Sequence, residues 1–120
     1  MTTQAPVYYL DRMQKAADEV RLFVRDMDGA AFAGDKLVQS AVAYSLCVIG
    51  AAAAELLEKH PEFEAEHPGA RWNELKDTSR LLLSNEAAMG VEDLWTVVAH
   101  AVPELLSQLD AIRHWRAEGE

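Results

Sequence analysis

The chain has 120 residues, half of them apolar and 26% charged, which fits one domain with one hydrophobic core and excludes wholesale disorder. Its formal net charge of −9 repels phosphate backbones and weighs against general DNA or RNA binding, because such binding rests on Lys and Arg displacing counterions. The single cysteine, Cys47, excludes an intrachain disulfide. The opening Met1-Thr2-Thr3-Gln4-Ala5-Pro6 has neither the basic nor the long apolar region of a signal peptide. The longest apolar stretch, Leu46 to Ala54, is too short to span a bilayer. No membrane association and a cytoplasmic location are therefore expected.

In chain order, a first helix is predicted from about Val7 to Met27. Val7, Leu10, Met13, Ala17, Val20, Val24 and Met27 recur in steps of three and four and form one apolar stripe. Asp28-Gly29 should end it, since glycine takes the left-handed C-terminal conformation readily. A short connector with Phe32 and Gly34 follows. The second helix is predicted from about Asp35 to Lys59, with a stripe of Leu37/Val38, Ala41/Val42, Leu46, Val48/Ile49, Ala52/Ala53 and Leu56/Leu57. Its middle, Gly50-Ala51-Ala52-Ala53-Ala54, is nearly free of side chains and should let another helix cross closely.

His60-Pro61 and His67-Pro68-Gly69 bracket a predicted loop. A third, shorter helix should run from about Arg71 to Asn85 with Trp72, Leu75, Leu82 and Leu83 inward. Ala87-Ala88-Met89-Gly90 reads as a second loop. The last helix is predicted from about Val91 to Ala117, with Glu92 and Asp93 at its positive end and Arg113, His114 and Arg116 at its negative end. Its stripe is Leu94, Val97/Val98, Ala101, Leu105, Leu109 and Ile112, and Pro103 should bend it by removing a backbone donor. No segment alternates with strand period. The fold class is all-α: a single-domain, up-and-down helical bundle of four main helices.

Few residues point to chemistry. His60, His67, His100 and His114 form no HExxH pair or other close zinc spacing. His60 and His67 read as solvated loop residues. His100 and His114 fall on roughly one helix face but about 21 Å apart, too far to share a metal, so no metal or other cofactor is expected. Cys47 has no base or cation beside it in sequence and reads as core packing. The serines lie in no Gly-x-Ser-x-Gly elbow, and no glycine-rich phosphate loop is present. Glu62, Glu64 and Glu66, and Glu118 and Glu120, are spaced by two and read as a solvated loop and tail. Of the tryptophans, Trp72 and Trp95 read as core, while Trp115 among Arg113, His114 and Arg116 could serve as a partner contact.

Several short fragments, in order, then match one family pattern. They are Tyr9-Leu10-Asp11-Arg12-Met13; Phe32 with Asp35; Gln39-Ser40-Ala41-Val42 followed by Leu46-Cys47-Val48-Ile49-Gly50-Ala51-Ala52; His67-Pro68 with Trp72-Asn73-Glu74-Leu75; and Gly90, Leu94-Trp95, Val97-Val98 and Pro103-Glu104-Leu105. In this set the chain resembles the HepT-like proteins of the HEPN superfamily over nearly its whole length. Many of these are toxin RNases paired with a minimal nucleotidyltransferase (MNT) antitoxin.

The resemblance implies a catalytic signature Arg-x4-His-x-Tyr on the third helix and just beyond it. Counting forward from Trp72 or back from Trp95 places its arginine at Ser79, its histidine at Ser84 and its tyrosine at Glu86. Starting from Arg80 does not restore it, since Asn85 and Ala87 would then stand for His and Tyr. The second helix departs as well: Tyr44 stands at the usual arginine, Cys47 and Ala51 at the usual acidic positions. RNA cleavage of this kind needs an acid or base near neutral pH and a cation for the phosphate, and two serines supply neither. In the family the motif tyrosine can be AMPylated by the MNT partner, which Glu86 cannot accept; Tyr8, Tyr9 and Tyr44 are the only tyrosines and none is near the motif in sequence.

The expected protein is therefore a catalytically degenerate HepT-like homodimer, with the third helices and the former cleft near the dimer interface. It would act by binding an MNT-type nucleotidyltransferase or a ligand in the former nuclease cleft; RNA is not an expected partner. Two alternatives stand beside it: an active toxin RNase whose chemistry has moved to Arg80 and His100, and a purely structural helical dimer.

Overall fold

The structure, a computed structural model, describes residues 4–67, 72–84 and 89–119, the side chains of 83, 84 and 114–119 excepted. Four long helical rods carry the fold: α1 (Pro6–Phe23), α3 (Lys36–Lys59), α5 (Trp72–Ser84) and a last rod. That rod runs as α6 (Val91–Thr96), a π turn over Val97–Ala101, and α7 (Val102–Gly119). Two short helices, α2 (Gly29–Ala33) and α4 (Glu62–Glu66), fill the predicted connectors. The described residues hold no strand. α3 is the central element, packed along α1 on one side and α5 on the other, while α7 returns against α1 and α2 wedges between α3 and α6.

The apolar stripes explain this arrangement. Leu10, Met13, Ala17 and Val20 of α1 are buried, as the spacing predicts, and Tyr9 and Ala16 join them. α3 buries Val42, Leu46, Ile49, Ala52, Ala53, Leu56 and Leu57. From the last rod come Leu94, Val98, Val102, Leu105, Leu109 and Ile112. Arg113 of α7 pairs with Asp11 of α1 across the rods. Val7 and Leu37, predicted to face inward, are exposed instead.

The helix ends differ from expectation in instructive ways. α1 stops at Phe23, and the one left-handed residue among the described residues is Asp26 (φ 68°), not Gly29. An Asp tolerates that conformation at modest cost because its side chain can bond the local backbone. Gly29 instead opens α2, whose free amide at Ala31 is met by the Asp28 carboxylate at 2.8 Å. α2 exists to bury Phe32, which is fully enclosed and lies 5.0 Å from the Trp95 ring. Gln39 of α3 reaches back to donate to the carbonyls of Phe32 and Ala33 at the end of α2. Asp35 caps α3 by accepting from Val38 N at 3.1 Å. Asp35→Ala should cost about 1 kcal/mol, readable as a lower urea midpoint with an unchanged slope.

Two loop expectations are corrected. Glu62, Glu64 and Glu66 sit on α4, exposed, around a buried Phe63. His60 is half-buried, its Nε2 2.8 Å from the Gln4 carbonyl. His67 is half-buried as well, its ring 4.5 Å from Phe63. The interruption expected at Pro103 takes the form of the π turn. Proline has no N–H for the Ala99 carbonyl and its ring would collide there, so the chain widens by one residue just ahead of it.

The apolar length of α3 is greater than the nine-residue stretch singled out in the sequence suggests. No Asp, Glu, Lys or Arg occurs from Leu37 to Ala54, and its most apolar window has a mean hydropathy of 1.7. By length and composition this helix could cross a membrane, yet here it is the centre of a bundle.

Candidate functional site

The site to be tested is the stretch of α5 and its surroundings where the motif would fall. α5 begins at Trp72, which is 1% exposed. The Trp72 indole donates to the His67 carbonyl at 3.1 Å and its ring meets Phe63 edge-on at 5.8 Å. With that anchor fixed, the inward positions follow at helical spacing: Leu75, Ser79 and Leu82, all buried.

Ser79 is 4% exposed and lies inside the crossing of α5 with α3. Its hydroxyl donates to the Cys47 carbonyl at 3.3 Å. Directly opposite is Gly50, the tight-crossing residue expected from the small-residue run. A Cβ on Gly50 would stand 2.1 Å from the Ser79 Cβ and 2.7 Å from the Leu75 carbonyl oxygen. The two backbones are as close as a glycine permits. A small residue with a hydrogen bond to offer is what such a crossing takes, since a buried hydroxyl without a partner is costly.

The other sequence-derived positions are less concentrated. Ser84 ends α5 and its side chain is not among those described; Glu86 lies outside the described residues. Arg80 is exposed and its guanidinium lies 3.6 Å from the Asp77 carboxylate. His100 is exposed on the π turn. Among the described residues, no hydrogen bond or ion pair joins Arg80 to His100. The His114 and Trp115 side chains are not among those described.

Around the end of α5 a groove of about 500 Å³ opens between α3 and the start of α6. Its walls are mainly aliphatic, with Ala43, Leu82, Met89, Val91 and Leu94, and its polar lining includes Lys36, Gln39 and Ser40. The Gln39 amide nitrogen is already committed to the α2 carbonyls. This is poor equipment for holding a small polar ligand, which needs several convergent donors and acceptors.

The outer face of α3 was not recognised as a surface from the sequence. Tyr44 is 72% exposed, Ala51 is exposed and Cys47 is half-buried. Tyr44 stands on a ridge between two grooves. One, of about 340 Å³, lies toward α1 and includes Arg12, Lys15, Glu19 and Ser45 in its lining; the other, of about 280 Å³, lies toward α5 and includes Ser40, Cys47 and Leu82.

Residues 13–112 match the family model described as Ribonuclease HepT-like. The chain belongs to the HepT-like family. Among curated relatives, a protein of Methanocaldococcus jannaschii named as an RNase is 23% identical over 104 residues, covering 87% of this chain and 93% of its own. A protein of Thermococcus cleftensis named as a ribonuclease HepT is 27% identical over 105 residues, covering 88% of this chain and 93% of its own. No solved structure is significantly similar. The all-α bundle and the family agree with the resemblance drawn from the sequence.

Proposed function

We propose that this chain is a HepT-like protein that has given up RNA cleavage and acts by binding, as a homodimer whose partner is a nucleotidyltransferase of the MNT type. The observation that carries this reading is the place of Ser79. The motif register asks for an arginine there to meet phosphate, and this chain has a serine walled into the α3–α5 crossing against Gly50. The outer positions of α3 support it. Where the family pattern has an arginine and two acids, this chain presents Tyr44, Cys47 and Ala51, so these three positions offer phosphate no cation and a proton no carboxylate. The net charge of −9 works further against RNA. The largely aliphatic groove beside α5 favours a protein partner over a small polar ligand.

The test is cleavage of total RNA and tRNA by the purified protein, with the Thermococcus cleftensis relative run alongside. No cleavage above the buffer blank is expected, together with co-purification of a co-expressed MNT-type nucleotidyltransferase. Cleavage that scales with protein and disappears in both Arg80→Ala and His100→Ala would overturn the reading in favour of a relocated active site.

A further inference from the structure

The groove between α1 and α3 is built differently from the one beside α5. It encloses about 340 Å³, and charged groups of both signs border it. Arg12, Lys15 and Glu19 come from α1, spaced by three and four residues and so set on one helix face. Tyr44 and Ser45 come from α3, and Ala16 and Val48 add apolar surface from the two helices.

These charges are not spent on one another. Lys15 and Glu19 are four residues apart, a spacing at which helices pair opposite charges, but in the order that pairs less well. Among the described residues neither takes part in a hydrogen bond or an ion pair, although Glu19 is half-buried. The Arg12 guanidinium lies 5.8 Å from the centre of the Tyr8 ring and donates to the Tyr8 hydroxyl at 3.3 Å, which leaves other N–H groups of its fork open. Ser45 is 2% exposed, yet its hydroxyl makes no hydrogen bond among the described residues. A buried hydroxyl left unmatched is costly, and a polar ligand in the groove would relieve that cost.

The signs of the charges select the ligand. A plain anion drawn to Arg12 and Lys15 would meet the Glu19 carboxylate. A plain cation drawn to Glu19 would meet Arg12 and Lys15. A zwitterion matches both. From Lys15 to Glu19 the helix rises about 6 Å, short enough for the carboxylate and ammonium of one α-amino acid to bridge them with a hydrogen bond at each end. Convergent donors and acceptors beside apolar surface are what a small-molecule site needs. We propose that this groove binds a free α-amino acid with an apolar side chain. Its carboxylate lies between Arg12 and Lys15, its ammonium on Glu19, and its side chain on Ala16, Val48 and the Tyr44 ring, with Ser45 completing the polar contacts. All of these groups belong to one chain. The site goes beyond the preceding reading and depends neither on a nucleotidyltransferase nor on RNA cleavage.

Titration of the 15N-labelled full chain with L-leucine and with L-phenylalanine, followed by 1H–15N NMR, provides the test. Amide shifts that centre on residues 12–19 and 44–48 are expected for at least one of the two, saturating with a dissociation constant on the order of 1 mM or below. N-acetyl-L-leucine lacks the ammonium and L-leucinamide the carboxylate; each should bind the natural protein at least about tenfold more weakly than the amino acid. Glu19→Gln should abolish the preference for leucine over its acetylated form, and Lys15→Ala should reduce the preference over the amide. Neither side chain is in the core, so far-UV circular dichroism of both variants should be unchanged. Ser45→Ala should weaken leucine several-fold. Absence of saturable shifts with both amino acids up to about 20 mM, or shifts centred elsewhere, overturns the site. Acetylated leucine binding as tightly as leucine reduces it to an anion site and overturns the zwitterion. A preference that survives Glu19→Gln overturns the placing of the ammonium.

Discussion

Gly50→Ala is expected to destabilise the protein by a net of about 2–3 kcal/mol, and to lower its melting temperature by roughly 8–12 °C. The cause is local and unavoidable: the new methyl would stand 2.1 Å from the Ser79 Cβ and 2.7 Å from the Leu75 carbonyl oxygen. Neither obstacle is the far end of a flexible side chain, so α3 and α5 must move apart along their whole contact. The substitution also has a favourable side, since alanine in a helix interior is about 1 kcal/mol better than glycine. Overpacking of this severity exceeds that gain. Thermal and urea melts followed by circular dichroism would measure the difference. Placing Ser79→Gly in the same chain removes the closer obstacle and leaves the Leu75 carbonyl, so the pair should be less destabilised than the sum of the single variants, as expected for residues in direct contact. A Gly50→Ala protein as stable as the natural one would show that the crossing is looser than described and that position 79 has room for a longer side chain.

That crossing also shows what the sequence discloses and what it withholds. The four rods were legible because 13 or more residues give several turns of a stripe, enough to reveal a period. α2 and α4 were not, because five residues carry no period; the only trace of α2 was Asp28 ahead of a buried Phe32. The tight crossing at Gly50 could be foreseen from the run of small residues, but not its partner, since a serine on a short helix reads as polar until the helix opposite is in place. Burial of Leu37 was expected because the stripe of α3 is continuous and broad; only the finished bundle shows that two neighbours cover two sides of α3 and leave a third open. Exposure of Tyr44 follows from the same geometry. For the candidate site, the sequence supplied an expected motif register, and the structure supplied the packing of Ser79 against Gly50 at the α3–α5 crossing.

Trp72→Ala is expected to cost about 3–5 kcal/mol, a large share of the roughly 5–15 kcal/mol that holds a domain of this size together. Trp72 is 1% exposed, contacts Phe63 and donates its indole N–H to the His67 carbonyl. It is the first residue of α5, and so ties α4 and the residue after it to the helix that crosses Gly50. Truncation empties the largest fully buried side chain among the described residues and leaves that carbonyl without its donor. Trp72→Phe separates the two effects. It keeps most of the apolar contact and loses the donor, and should cost about 1–3 kcal/mol. Urea denaturation followed by far-UV circular dichroism distinguishes the two variants without relying on the tryptophan being removed. The same anchor sets the register that carries Ser79, seven residues on, into the crossing. A loosened start of α5 would therefore free position 79, and Trp72→Ala should weaken the coupling between Gly50→Ala and Ser79→Gly measured in the otherwise natural chain. An alanine variant that loses less than about 1 kcal/mol, or that leaves that coupling intact, would mean that the register of α5 is held by its contact with α3 alone.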